Sequence, residues 1–569
     1  MPAILPRLAP LRSPLAVRWP SAVAGVWLGL FVMSAGAVGY VLRFALGFPL
    51  QDELELVPEL GEKWAAGHGW SWPLIPHNGH LYLLGKLVYM LLMVATGYEF
   101  RAGMLVTVGL MTAAAAVWLA AVRRLRGETR WGDLVIPAAA LHWGHGFTYL
   151  MAYQLVFGLF VLNVACLAWV IAADRGGRRG DLLAGLAVVG LLLHGGPGLT
   201  LAVPAAGWLL VRGLLVGGPW WWRLLATGVP IGVAGGFAVV AGRIGAAGWE
   251  HYSHPTTGSL VVTAGQALGT GLGLWATGEK WRLAAGIAGI TFAGVAAVLL
   301  RAIVREPGER VRAGGLLGLL AGMGLMGFAI AWRREHALIE HYPTATAVWV
   351  CVAWATLSRY GLPLPGRTAE LLGGLAAVAV VAANVSPGVR FGATKRMYHR
   401  ELAAAVEGRM PVRFAADRFR GVLLPCDWFE RRLDGFRRYG LGRLGGLAPT
   451  PETVAVPAIR EPLVIPPAPE VGYTLGFGAV PIPDPLAGRP VVGLRIAFDV
   501  EYDPHWLRLE LSWASPAGGR RKAWVYPDFT RGPHVSTFWV DDAATDVRLV
   551  PGCQTRGIVV RSAEWLVAP

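Results

Sequence analysis

Long apolar runs recur through the first two thirds of the chain and constrain its fold more than any other feature. They fall near residues 21–43, 80–97, 102–122, 132–148, 150–172, 181–195, 197–212, 224–242, 260–277, 283–304, 314–332, 341–358 and 367–386. Several approach or exceed the roughly 20 apolar residues needed to span a bilayer. Only 15% of the 569 residues are charged, against about 25% in an ordinary soluble domain. The pattern predicts a polytopic α-helical membrane bundle of about 11–13 spans. Interruptions such as HGGPG (194–198) predict broken helices, which are tolerated at membrane depth only where protein or a cavity covers the freed backbone.

A net charge of +15 would suit nucleic acid, but the arginines sit in short clusters between apolar runs: RRLRGETR (123–130), DRGGRRGD (174–181) and REPGERVR (305–312). Such loops anchor membrane helices or meet lipid headgroups. No nucleic-acid module accompanies them, so no nucleic-acid partner is expected. The stretch before the first run, MPAILPRLAPLRSPLAVRWP, carries three arginines and no acids. The run that follows exceeds the roughly 7–15 residues of a signal core, so it reads as an uncleaved first span with a cytoplasmic N-terminus. The chain is thus expected in the inner or plasma membrane, crossing it many times. The acidic loop after the first span is expected outside. Strict alternation would then place RRLRGETR outside too, against the positive-inside tendency, unless an early segment is re-entrant. An odd number of spans puts the C-terminus outside as well.

The membrane part is expected to cover residues 1–387, with its first external loop at 44–79. Charged amphipathic segments, including RELAAAVEGR (400–409) and WFERRLDGFRRYGLG (428–442), make 388–448 a helical connector. A Pro-rich linker follows at 449–470. Beyond it the periodicity becomes two. Leu494, Ile496, Phe498, Val500 and Tyr502 share one face, as do Leu507, Leu509, Leu511 and Trp513. Residues 471–569 therefore predict an extracytoplasmic β-sandwich-like domain. Cys426 and Cys553 lie in this polar part, where an oxidising compartment would permit a disulfide.

The first loop, FPLQDELELVPELGEKWAAGHGWSWPLIPHNGH (48–80), holds five carboxylates and ends on His77, Asn78 and His80. A carboxylate at the bilayer surface is placed to act on substrates whose tails lie in the membrane. Asp52 or Glu53 would serve as a general base toward an acceptor hydroxyl, with basic groups neutralising a departing phosphate. The plainer alternative is that Asp52 caps a short helix, with Glu55 completing a capping-box-like spacing. His77 and His80 also stand three residues apart, as do His251 and His254, but no third ligand or HExxH frame accompanies either pair. No metal site or cofactor is expected, although a divalent metal is compatible with the loop.

The order of basic N-terminus, first span, external loop opening on Asp52-Glu53, and polar entry HNGHLYLLGKL (77–87) into the second span resembles the C-type (GT-C) glycosyltransferases. It is most similar to those taking sugars from polyprenyl phosphate, such as protein O-mannosyltransferases and aminoarabinose transferases. The resemblance covers the layout of residues 15–390, while motif-like residues are confined to the loop. It implies inverting transfer of a sugar from a polyprenyl-phosphate carrier to an extracytoplasmic glycan, lipid or protein. It implies Asp52 as base or metal ligand with Glu53 beside it, and His80 and Lys86 where relatives place a basic residue for the carrier phosphate. The lysine-proline-proline entry of the aminoarabinose branch is absent. Other polar groups near span ends, His142, His145, Arg333, Arg334, His341 and Tyr342, are further substrate-binding candidates. Two other readings stand beside this one: a lipid-linked glycan transporter or flippase, and a non-catalytic scaffold for envelope polysaccharide assembly.

Overall fold

The computed structural model describes residues 21–173, 178–215, 220–223, 225, 228–246, 256–334, 337–338, 340–361, 366–423, 428–459, 461, 463–465, 467–471, 474–477, 480–483, 491–500, 507–515, 518–526, 532–540, 545–553 and 558–568. The basic N-terminal stretch, the WEHYSH loop with His251 and His254, and Cys426 lie outside the described residues. So, with Cys426, does the disulfide that an oxidising compartment would permit between Cys426 and Cys553.

The helical part runs as α1 (Ala22–Phe44), α2 (Glu53–Ala65), α3 (Leu83–Ala95), α4 (Phe100–Arg126), α5 (Val135–Leu141), α6 (Gly146–Leu150), α7 (Leu155–Ala173), α8 (Arg178–Leu192), α9 (Gly195–Leu215) and α10 (Trp220–Arg223). It continues as α11 (Val229–Ala246), α12 (Thr257–Gly269), α13 (Trp281–Arg305), α14 (Arg310–Arg333), α15 (Tyr342–Thr346), α16 (Val348–Tyr360), α17 (Gly366–Glu407), α18 (Val412–Leu423) and α19 (Phe429–Arg438). Among the described residues, seven helices are long and apolar enough to cross a membrane: α1, α4, α7, α9, α13, α14 and α17. Their outer faces remain apolar. Phe31, Ile290 and Val378, on α1, α13 and α17, are exposed, as befits a membrane protein rather than one bathed in water.

Seven is fewer than the 11–13 spans expected, because several apolar runs fold as short or broken helices. Run 132–148 splits into α5 and α6 around a 3₁₀ turn at Trp143–His145. Run 260–277 ends in two 3₁₀ turns after α12. Side chains take up the freed backbone groups, as burial requires. Asn384 Nδ2 donates to the Leu272 carbonyl (2.8 Å), Gln266 Oε1 accepts from the Ala337 N–H (3.0 Å), and His142 Nδ1 accepts from the Gly144 N–H (3.0 Å). The HGGPG stretch also breaks the helix, between α8 and α9, and Gly195 has φ +66°. A Cβ on Gly198 would overlap the Leu191 carbonyl oxygen. Gly198→Ala is therefore expected to cost about 1–3 kcal/mol through overpacking, measurable as a lowered thermal midpoint of the purified protein.

Helix α17 passes through residue 387 without interruption. Its 42 residues span about 63 Å at 1.5 Å per residue, roughly twice a bilayer core, and its second half packs on α1 and α6, with Gly392 against Phe44 and Phe391 near Phe147. Helix α18 packs beside it, and α19 lies across α2, with Gly435 against Pro58 and Leu441 against Gly61. The amphipathic connector thus folds back over the acidic loop.

The C-terminal part is antiparallel: β1 (Val454–Ile459), β2 (Leu463–Ile465), β3 (Pro467–Val471), β4 (Thr474–Phe477), β5 (Val480–Ile482), β6 (Val491–Val500), β7 (Leu507–Ala514), β8 (Arg520–Val525), β9 (Gly532–Trp539), β10 (Thr545–Cys553) and β11 (Ile558–Val567). One sheet has the order β1-β11-β6-β9 with β2 also on β11, and the other β3-β4-β10-β7-β8 with β5 also on β10. Leu494, Ile496, Phe498 and Val500 of the first sheet and Leu509, Leu511 and Trp513 of the second belong to one buried cluster. The period-two reading places these correctly; Tyr502 lies outside the described residues. The Pro-rich stretch 449–470 supplies β1, β2 and β3 rather than a free linker. Pro457 is accommodated because β1 is an edge strand whose register slips between Pro457 and Ile459. The sheets are tied to the helices through buried polar contacts. Tyr526 N–H donates to the Arg418 carbonyl (2.8 Å), the Gly421 N–H donates to the Tyr526 carbonyl (2.8 Å), and Glu401 accepts from Trp524 and Tyr526 side chains.

Candidate active site

The first loop distributes its five carboxylates among different tasks. Phe48 and Leu50 are wholly buried, and Gln51 takes φ +46° to turn the chain into α2. Leu54, Leu56, Val57 and Leu60 bury the inner face of that helix. Glu55 reaches Arg432 of α19 (3.3 Å), and Glu59 accepts from the Trp72 indole (3.1 Å). Glu62 lies on the exposed side.

Glu53 is fully buried. It accepts from the Leu50 N–H (2.9 Å), the Tyr153 N–H (2.7 Å) and the Tyr89 hydroxyl (3.2 Å), pinning the loop to α3 and to the turn before α7. Burial pushes its pKa up to about 8, against the opposing pull of those three donors, and the Asp52 charge adds to the rise.

Asp52 has a different environment. It stands at the N-cap position of α2 but makes no capping hydrogen bond, so the capping explanation does not hold. Its carboxylate lies 3.5 Å from His77 Nε2 and the side chain is 39% exposed. Burial raises its pKa, but the bond to His77 and the charges of His77, His341 and Arg334 outweigh that and hold it below the usual carboxylate range. Two adjacent carboxyls are thereby driven apart, the Asp52 pKa downward and the Glu53 pKa upward, an arrangement associated with acid–base sites.

HNGH folds as a tight hairpin. The backbone groups of His77 and His80 pair reciprocally (2.9 Å each way), and Asn78 and Gly79 both take positive φ, +48° and +73°. Asn-Gly is the dipeptide best suited to such a turn, a signal present in the sequence that the reading of this segment as a helix entry passed over. Asn78 Nδ2 lies 3.1 Å from His77 Nε2. Residues facing each other across a hairpin share a side, so both imidazoles point the same way. Gly196 abuts the His80 ring and Gly195 the Tyr82 ring, where any Cβ would crowd them. The broken α8–α9 junction thus packs against the hairpin.

Arg333, Arg334, His341 and Tyr342 bear on the loop and the hairpin electrostatically. Arg333 closes α14, Arg334 follows in extended conformation, and Tyr342 opens α15. Arg334 is exposed and its charge acts on Asp52, His80 and His341. His80 has its pKa lowered to about 4 by burial, then by Arg333, His77 and Arg334. His341 is likewise lowered to about 4, by burial and Arg334 against the opposing pull of Asp52. His341 packs edge-on to Tyr342 (4.4 Å) and near Phe147 and Phe157 (5.8 and 6.4 Å).

The structure therefore brings Asp52, His77, Asn78, His80, Arg333, Arg334, His341 and Tyr342 together. It does not bring Lys86, His142 or His145 to them. Lys86 is completely buried, donates to the Ile75 carbonyl (2.8 Å) and lies over the Trp72 ring (4.1 Å). His142 and His145 stack at 4.2 Å in the bundle interior. His145 bonds Thr344 Oγ1 (3.0 Å) and the Ala139 carbonyl (2.8 Å), which steadies the start of α15 from below. Among the described residues no three His, Cys, Asp or Glu side chains converge as a metal site. Compared with known proteins, the chain matches no family model and no curated protein. The chemistry of the site rests on its own geometry.

Proposed function

We propose that this chain is a membrane-embedded inverting glycosyltransferase, moving a sugar from a polyprenyl-phosphate carrier to an extracytoplasmic hydroxyl. The observation that carries the reading is a solvent-reached Asp52 carboxylate on which the Arg334 charge acts, with Arg333 and Arg334 both acting on His80. The bundle lies in the membrane, and the two sheets form a β-sandwich-like domain over its outer face. The lipid tail stays between helices while the phosphate sits beside Arg334 and His80. Burial and the positive field together lower the His80 pKa, and an anion there offsets the field and favours the protonated imidazole.

In the reaction, Asp52 takes the proton of the acceptor hydroxyl as its oxygen attacks the anomeric carbon. The carbon–oxygen bond to phosphate breaks on the opposite face, and the electron pair leaves with polyprenyl phosphate. Arg334 and His80 stabilise the charge that develops there. One displacement inverts the anomeric centre.

Sugar transfer in proteoliposomes, compared between the wild type and Asp52→Asn, is the deciding experiment. A second variant probes the phosphate end. Arg334→Gln is expected to raise the KM for the lipid donor by about 10–100-fold, the worth of a charge-assisted hydrogen bond, with little change in acceptor KM. Steady-state kinetics with each substrate varied in turn checks this.

A further inference from the structure

At the end of the bundle remote from Asp52, three helices enclose a groove that the proposed reaction does not use. Helices α4 and α7 run side by side in the same direction, with Gly103 against Ala152 and Gly158 against Leu110. Helix α8 returns antiparallel to α7, with Gly190 against Asn163. The C-terminal ends of α4 and α7 and the start of α8 therefore lie together. Between them is a hollow of about 480 Å³, lined chiefly by Ala120 of α4, by Asn163, Cys166 and Trp169 of α7, and by Leu183 and Leu186 of α8. Small-molecule sites occupy roughly 300–1,000 Å³. The walls are mostly apolar, and the Asn163 amide is turned to the Ala187 carbonyl (3.5 Å). Trp169, Leu183 and Leu186 are exposed, as are Ala120 and Cys166, so the groove opens on the outer face of the bundle.

Positive charge marks one end of this groove. Arg124 follows Ala120 by one turn on α4, and Arg179 precedes Leu183 by one turn on α8, spacings that put each on the helix face lining the hollow. Both are exposed. The acids described nearby are committed elsewhere: Asp133 to Arg126 (2.7 Å), Glu128 to Arg130 (2.6 Å), and Asp181 to Arg212 and Trp222. That leaves Arg124 and Arg179 without an acidic partner among the described residues. We infer that the groove holds one chain of an anionic phospholipid, with the headgroup phosphate at the end marked by Arg124 and Arg179. Guanidinium forks match phosphate oxygens, and basic pockets between spanning helices take anionic headgroups. Trp169 stands at the same end, the depth at which tryptophans meet headgroups. The polyprenyl carrier fits less well, because its phosphate belongs beside Asp52. Tyr153, bonded to Glu53, lies just before α7, and Cys166 is about 17 Å further along that helix from Leu155.

The inference requires the bundle to lie in a bilayer but does not require the proposed reaction, so its test needs no turnover. Purified full-length protein in detergent is offered equal amounts of phosphatidylglycerol and phosphatidylcholine with matched chains, and bound lipid is counted by native mass spectrometry. The wild type is expected to retain one phosphatidylglycerol with a preference of about tenfold or more, the worth of a charge-assisted hydrogen bond. Arg124→Gln combined with Arg179→Gln is expected to abolish the preference. Ala120→Trp fills the groove and is expected to lower phosphatidylglycerol retention by about tenfold. Thermal midpoints in lipid-free detergent, expected to match the wild type because all three side chains are exposed, report an intact fold. Equal retention of the two lipids by the wild type means adventitious surface lipid only and overturns the site. A preference that survives loss of both arginines, or wild-type retention by Ala120→Trp, does the same. Displacement of phosphatidylglycerol by an equal concentration of polyprenyl phosphate gives the groove to the carrier and overturns its assignment to phospholipid.

Discussion

Asp52→Asn is expected to lower sugar transfer by about 10²–10⁴-fold, the range for loss of a positioned general base, with expression and thermal stability close to wild type. Stability is spared because Asp52 contributes nothing to the α2 cap, and an amide reproduces the size of the carboxylate. The pH profile supplies an independent check. Transfer needs the ionised base, so it declines as pH falls through the Asp52 pKa. Since His77, His341 and Arg334 hold that pKa below the usual carboxylate range despite burial, the acid limb is expected at lower pH than for an ordinary aspartate. Removing the hydrogen bond by His77→Leu is expected to move the limb upward. A limb that stays in place would show that His77 does not set the charge of Asp52.

The neighbouring residue gives the largest expected effect on folding. Glu53→Ala leaves two backbone N–H groups and a tyrosine hydroxyl without their buried acceptor. At about 1–3 kcal/mol for each unsatisfied group, the loss is expected to exceed about 3 kcal/mol. Glu53→Gln keeps one oxygen for Tyr153 and Tyr89 and loses mainly the Leu50 bond, at a cost of about 1 kcal/mol.

The two variants also separate packing from ionisation. A carboxyl whose pKa rises from 4.5 to about 8 on folding holds its proton more tightly in the folded state. Its contribution to stability is complete below pH 4.5 and is lost as pH climbs toward about 8. Wild-type stability is thus expected to decline across that window, and Glu53→Gln to flatten the decline. Thermal midpoints at a series of pH values measure both effects. A slope unchanged by the amide would place the pH dependence elsewhere.

How much was legible in the sequence depends on the range of the forces involved. The alternation of Leu494, Ile496, Phe498 and Val500 is local, and the strand faces could be read from it. Helix type in the apolar runs was equally plain, but span count was not. Whether 260–277 crosses or breaks depends on whether Asn384, remote in sequence, is present to take up the broken backbone at Leu272 and Trp275. The acidic pair was recognisable as a unit, yet its division of labour was not. Nothing in Asp52-Glu53 indicates that Tyr153 will offer its N–H to the second residue and not the first. Lys86 looked like a phosphate ligand by position, but Trp72 and the Ile75 carbonyl occupy it.

The most direct measurement is of the bond itself. Purified full-length protein in proteoliposomes, given a polyprenyl-phosphate sugar and a hydroxyl acceptor, is expected to release free polyprenyl phosphate in step with transferred sugar of inverted anomeric configuration. Lipid-linked sugar that moves between leaflets, or stays bound, with its glycosyl–phosphate bond intact would contradict the account.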